Sequence, residues 1–152
     1  MSLYSISFTL FSLLVTPLWL MMIALPRHPF TRRVIGSLWC VVPFLLAYAI
    51  LEIPYYLSAL PLFVNPKLPA MRELLGSEWG ATLAWLHFIA VDLFAGRWIY
   101  LDSRKLAMNV WLMAPILFMS AMFCPAGITL YLIARRLTHP ELALNSASPD
   151  QS

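Results

Sequence analysis

The chain has 152 residues, 61% of them apolar and 11% charged, against about 45–50% and about 25% in ordinary globular domains, which excludes a soluble domain. Its ten Lys/Arg and seven Asp/Glu leave a net charge of +3, but no basic run exceeds two residues, so no nucleic-acid partner is indicated. Uncharged runs long enough for about 30 Å of hydrocarbon, interrupted by prolines rather than alternating in polarity, predict an all-α polytopic membrane protein with a bundle of four transmembrane helices, not a barrel.

No charged side chain precedes Arg27, so residues 4–25 form the first predicted span, with Pro17 near its middle. Basic residues follow this run and none precedes it, the reverse of a secretory signal, so it is expected to stay as an anchor. Arg27, His28, Arg32 and Arg33 make a short loop. The next apolar run, 34–64, contains Pro43, Glu52, Pro54 and Pro61. It predicts a second span over 37–60, kinked or unwound near Pro54. Lys67, Arg72, Glu73 and Glu78 among prolines mark a polar connector, and the third span, 79–101, lacks proline. Asp102, Arg104 and Lys105 separate it from the fourth, 106–134, which contains Pro115 and Pro125. These spans make one domain, 1–134, and residues 135–152 read as a disordered polar tail. The positive-inside rule places the 27–33 loop in the cytoplasm and both termini outside.

An ionisable side chain at mid-bilayer costs roughly 2.5–3.5 kcal/mol, so each one marks a functional candidate. Four fall inside predicted spans: Glu52, His87, Asp92 and Arg97. Asp92 lies near the midplane of the third span, where low dielectric favours the neutral acid needed for proton donation. On a straight helix His87 and Arg97 point about 80° apart and Asp92 about 140° from either, so the third span is polar on two sides. Glu78, Ala81, Trp85 and Gly96 share the Asp92 direction, and the small residues permit close helix approach. Glu52 falls at the level of His87, and a contact across helices satisfies both. Structural readings compete: Arg97 snorkelling or pairing with Asp102, His87 as an interhelical donor, Glu52 capping the turn broken by Pro54, and Trp79, Trp98, Tyr100 and Trp111 as interfacial belt residues. Cys40 and Cys124 fall toward opposite faces and do not pair, and with a single intramembrane imidazole no tightly bound metal and no cofactor are expected.

The run Glu78, Ala84-Trp85-Leu86-His87, Val91-Asp92-Leu93-Phe94-Ala95, Arg97, Tyr100, Asp102 and Phe123-Cys124-Pro125-Ala126-Gly127-Ile128 resembles the abscisic-acid-deficient-four family. That family comprises small four-span membrane proteins required in plant plastids to convert violaxanthin to neoxanthin, with many bacterial relatives. The resemblance covers the last two spans and assigns no counterpart to Glu52; in the first two spans it extends only to hydrophobicity and a basic loop. The absence of a transit peptide points to a bacterial-type member in a bacterial plasma (inner) membrane. The resemblance implies acid/base isomerisation of a carotenoid or other isoprenoid lipid: Asp92 as acid, His87 or Glu78 as base, and Arg97 as electrostatic stabiliser or end-group anchor. The expected partners are the bilayer, an isoprenoid or carotenoid ligand, and a second copy or a partner enzyme. Two other readings stand beside it. One is a non-catalytic carotenoid- or lipid-binding helper of a membrane enzyme, and the other is an ion-coupled exporter using Glu52.

Overall fold

The computed structural model describes residues 2–140, without the side chain of Ser58. Among these residues all regular structure is helical: α1 Leu3–Ala24, α2 Pro29–Gly36, α3 Val42–Glu52, α4 Tyr56–Val64, α5 Leu68–Gly76, α6 Glu78–Lys105, α7 Val110–Met122 and α8 Cys124–Thr138. Two compact units divide the chain. Among the described residues the first takes 2–18 and 37–93, the second 19–36 and 94–140, so α1 and α6 each run from one unit into the other.

In the first unit, the start of α1 carries Thr9, Ser12 and Thr16, whose hydroxyls donate to carbonyls four residues earlier at 3.1, 2.6 and 2.9 Å. Such back-bonding satisfies polar side chains without water. Ser37 caps a short 3₁₀ turn at Leu38–Cys40, accepting from the Trp39 amide, and Pro43 then starts α3 where its missing N–H costs nothing. At Pro54 the helix tightens into a 3₁₀ turn, Ile53–Tyr55, before α4 resumes, as expected for a proline that removes a main-chain bond. Ser77 joins α5 to α6: its hydroxyl donates to the Leu74 carbonyl at 2.6 Å and accepts from the Gly80 amide at 3.1 Å. A β-carbon at Gly80 would overlap the Leu74 backbone, so only glycine permits this corner. Leu83, Leu86, Ile89, Ala90 and Leu93 of α6 and Phe44 of α3 are buried.

In the second unit, Gly96 lies under the Trp19 indole, where a side chain would overlap the ring. Tyr100, fully buried, donates to the Pro26 carbonyl at 2.8 Å and ties α6 to the turn before α2. The end of α6 closes through Met108 N–H to Ser103 O at 2.9 Å and Ala107 N–H to Arg104 O at 3.3 Å, with Ala107 at φ 51°. This is a Schellman closure with alanine at the left-handed position. Asn109 caps α7 by accepting from the Trp111 amide at 2.9 Å.

Two features differ from expectation. The stretch predicted as one span over 106–134 is two helices, broken at Phe123 (φ −143°, ψ 80°), where the chain turns so sharply that Gly127 meets the Ser120 backbone. Pro125 supplies the reason, since it has no N–H to bond the Ala121 carbonyl and its ring would clash there, while a proline is tolerated in a new first turn. Helix also continues through Arg135 to Thr138, past the expected start of the tail, while residues 141–152 lie outside the described residues. Two helices, Leu3–Ala24 and Glu78–Lys105, are long and apolar enough to cross a membrane; Val42–Tyr55 and Val110–Met122 are shorter apolar stretches.

Candidate functional site

A cavity of about 230 Å³ lies within the first unit, walled by α3, α4, α5 and the first half of α6. From α6 it receives Trp79, Gly80, Leu83, Ala84, His87 and Phe88, whose spacings of three and four place them on one helical face. From the broken second segment it receives Tyr48, Glu52, Tyr55 and Ala59, again one face carried across the Pro54 turn. Met71, Leu74 and Leu75 of α5 close it, held there by the Ser77–Gly80 corner.

The polar groups gather in two places. The Glu52 carboxyl group lies one helical turn from Tyr48, near enough to act on its hydroxyl, and the Tyr48 ring meets the His87 ring edge to face, centroids 5.5 Å apart. Tyr48 therefore stands next to both groups. Tyr55 stacks on Trp79 at 4.6 Å and 16° and accepts a 2.9 Å hydrogen bond from the Tyr4 hydroxyl. This makes a flat aromatic wall. A carboxylate, a phenol and an imidazole facing apolar space can hold and exchange a proton with a bound molecule that brings no water with it.

The residues singled out from the sequence divide accordingly. His87 lines the cavity, and so does Glu52, the residue to which the resemblance assigned no counterpart. Glu78 starts α6 on the side roughly opposite the cavity, is exposed, and accepts a 2.7 Å hydrogen bond from Ser2; an acid at a helix N-terminus is favourably placed there in any case. Asp92 is half-buried and points about 130° from the centre of the cavity-facing stripe. It is not among the lining residues. Arg97 belongs to the second unit, where its Nε and Nη2 donate to the carbonyls of Ile35 and Gly36 at 2.7 and 2.6 Å. It thus caps the C-terminal end of α2, where cations and donors are stabilised. Asp102 pairs with Arg135 at 2.9 Å and accepts from the Tyr131 hydroxyl rather than meeting Arg97. Sequence reasoning missed Tyr48 and Tyr55 and read Trp79 as a belt residue. The spacing 48, 52, 55, 59 was the available signal, obscured by the proline that interrupts it.

The family model described as ABA DEFICIENT 4-like matches residues 6–131. The chain belongs to the ABA DEFICIENT 4-like family. The match includes α3 as well as α6, so Glu52 and His87 both lie in the family region. The chain is similar to the chloroplastic protein ABA DEFICIENT 4 of Arabidopsis thaliana, 24% identical over 132 residues that cover 81% of this chain and 57% of that protein. It therefore spans a little over half the length of that relative. No solved structure matches this ABA DEFICIENT 4-like chain.

Proposed function

We propose that this chain is a four-span integral membrane member of the ABA DEFICIENT 4-like family that takes the ring end of a carotenoid or related isoprenoid into the Tyr48–Glu52–His87 cavity and isomerises it by acid/base transfer. The observation that carries the reading is the joint placement of Glu52, Tyr48 and His87 on otherwise apolar walls. The membrane part is supported by α1, whose 22 residues have a mean hydropathy of 2.0 over the most apolar window with 17% of it buried. Leu3, Ile6, Phe8, Leu10, Leu13 and Leu14 are all exposed, a surface suited to lipid. At about 230 Å³ the cavity is smaller than a typical site for a whole drug-sized ligand, which favours a single ring entering while the polyene lies outside.

For an epoxide end group the atoms balance without an oxidant. A proton passes to the epoxide oxygen as its C–O bond breaks, and a proton leaves the adjacent polyene carbon as the allene forms. In this reading Glu52 acts as the acid that supplies the first proton, His87 as the base that removes the second, and Tyr48, which stands next to both, lets the proton return. His87 keeps the role expected from sequence, whereas Glu52 takes the part first given to Asp92. The test is conversion of violaxanthin by membranes containing the protein, followed by chromatography of the pigments. Glu52→Gln and His87→Gln are expected to accumulate normally and lose conversion, whereas Asp92→Asn keeps it. Retained conversion in either cavity variant would overturn the catalytic assignment. Pigment that co-purifies without being converted would replace it with the non-catalytic binding reading.

A further inference from the structure

A second cleft, of about 560 Å³, lies in the other unit, lined by Ile23 to Pro29 from the end of α1 and its following turn and by Val110, Trp111 and Ala114 of α7. Its walls are apolar except where Arg27 and His28 stand, and Trp111 is 83% exposed beside them.

Charge in this unit is one-sided. Its described residues hold Arg27, Arg32, Arg33, Arg97, Arg104, Lys105, Arg135 and Arg136 against a single carboxylate, Asp102, and that carboxylate is taken by Arg135 and Tyr131. Arg97 is spent on the end of α2. Burial of Arg104 is accompanied by the like charges of Arg27 and Arg32, which act against it, and by Tyr100, which acts in its favour. Arg104 is half-buried, held by Nη2 to the Met108 carbonyl at 2.8 Å, and its Nε is buried with no acceptor. Arg27 and Arg32 are exposed and Arg104 is half-buried, so this corner presents like charge that an anion bound there relieves. His28 adds a donor: its Nδ1 accepts from the Phe30 amide at 3.2 Å, so the neutral ring carries its proton on Nε2 and can donate outward.

We propose that this corner binds the phosphate of an anionic lipid, with Arg27, Arg32 and His28 on the headgroup and an acyl chain lying in the apolar cleft against Ile23, Val110 and Trp111. The basic rim and the apolar cleft adjoin at Arg27 and His28, which is the pattern of a phosphate joined to a hydrocarbon chain rather than of phosphate alone. The inference shares the membrane part of the proposed function but not its catalytic part, because the two cavities lie in different units and have no residue in common.

The test uses the full chain in nanodiscs of phosphatidylcholine with and without about one-fifth phosphatidylglycerol, a fraction set so that anionic lipid is available at every site. Lipid retained on release into detergent is identified by native mass spectrometry. Retention of phosphatidylglycerol over phosphatidylcholine is expected to fall at least several-fold in Arg27→Gln and in Arg32→Gln, while the charge-matched Lys67→Gln, in the other unit, retains it like the wild type. Equal retention of the two lipids, or wild-type selectivity in both arginine variants, would overturn the proposal. Displacement by millimolar inorganic phosphate or diphosphate would also overturn it, making this a site for soluble phosphate. Circular dichroism of each variant separates loss of binding from loss of fold, and pigment conversion measured in the same variants separates failure here from failure at the Glu52–His87 cavity.

Discussion

Replacing Arg97 distinguishes a residue that stabilises reacting charge from one that caps a helix. Its two hydrogen bonds, 2.7 Å to the Ile35 carbonyl and 2.6 Å to the Gly36 carbonyl, satisfy two of the carbonyls that every helix end leaves without a partner. Hydrogen bonds to a charged group contribute about 1.5–3 kcal/mol each. The outer bond is exposed and is worth less. Arg97→Met is therefore expected to cost about 2–4 kcal/mol, and Arg97→Lys, which keeps the charge but cannot fork to both oxygens, about 1–2 kcal/mol. For a chain of this length that corresponds to lowering Tm by about 4–16 °C and about 2–8 °C respectively, measured by tryptophan fluorescence during heating in mild detergent. Conversion per folded molecule should be unchanged in both. Arg97→Lys with wild-type stability would refute the capping argument, as would folded Arg97→Lys with its conversion abolished.

Ala107 has a left-handed backbone, which costs a residue with a β-carbon about 1–2 kcal/mol. Ala107→Gly should raise thermal stability by the equivalent of about 0.5–1 kcal/mol, and a lowered Tm would contradict the Schellman assignment. Gly127 meets the Ser120 backbone, which cannot give way as a flexible side chain can, so Gly127→Ala should destabilise by about 1–3 kcal/mol and lower detergent-extractable yield. Gly96 meets the buried Trp19 ring instead; Gly96→Ala should cost a comparable amount, and Trp19→Phe in the same chain should recover part of it if the indole is the obstacle. Tyr131→Phe removes the phenol that donates to Asp102 and is expected to cost about 1–2 kcal/mol without affecting pigment conversion, both readable from one purified sample.

Much of this chain was legible from local rules. Long apolar runs identify α1 and α6, because each ends where charge begins, α1 before Arg27 and α6 at Asp102 to Lys105, and Pro54 marks the interruption between α3 and α4. The apolar bulk and the sparse ionisable groups single out His87 and Glu52 as side chains requiring explanation. The register of the second apolar run placed Glu52 at the level of His87, but which other side chains share that space was not legible. Helical angles place Asp92 and Glu78 relative to His87 on one helix, but they say nothing about α3, and it is the packing of α3 to α5 against α6 that brings Glu52 and Tyr48 to the imidazole. The same limit applies to Arg97, whose acceptors lie 62 and 61 residues away in sequence, whereas the break at Phe123 follows from Pro125, a local signal present in the sequence. Periodicity records which face of a helix is apolar; only tertiary contact decides what that face meets, because the free energy of a buried polar group depends on its partner and not on its place in the chain.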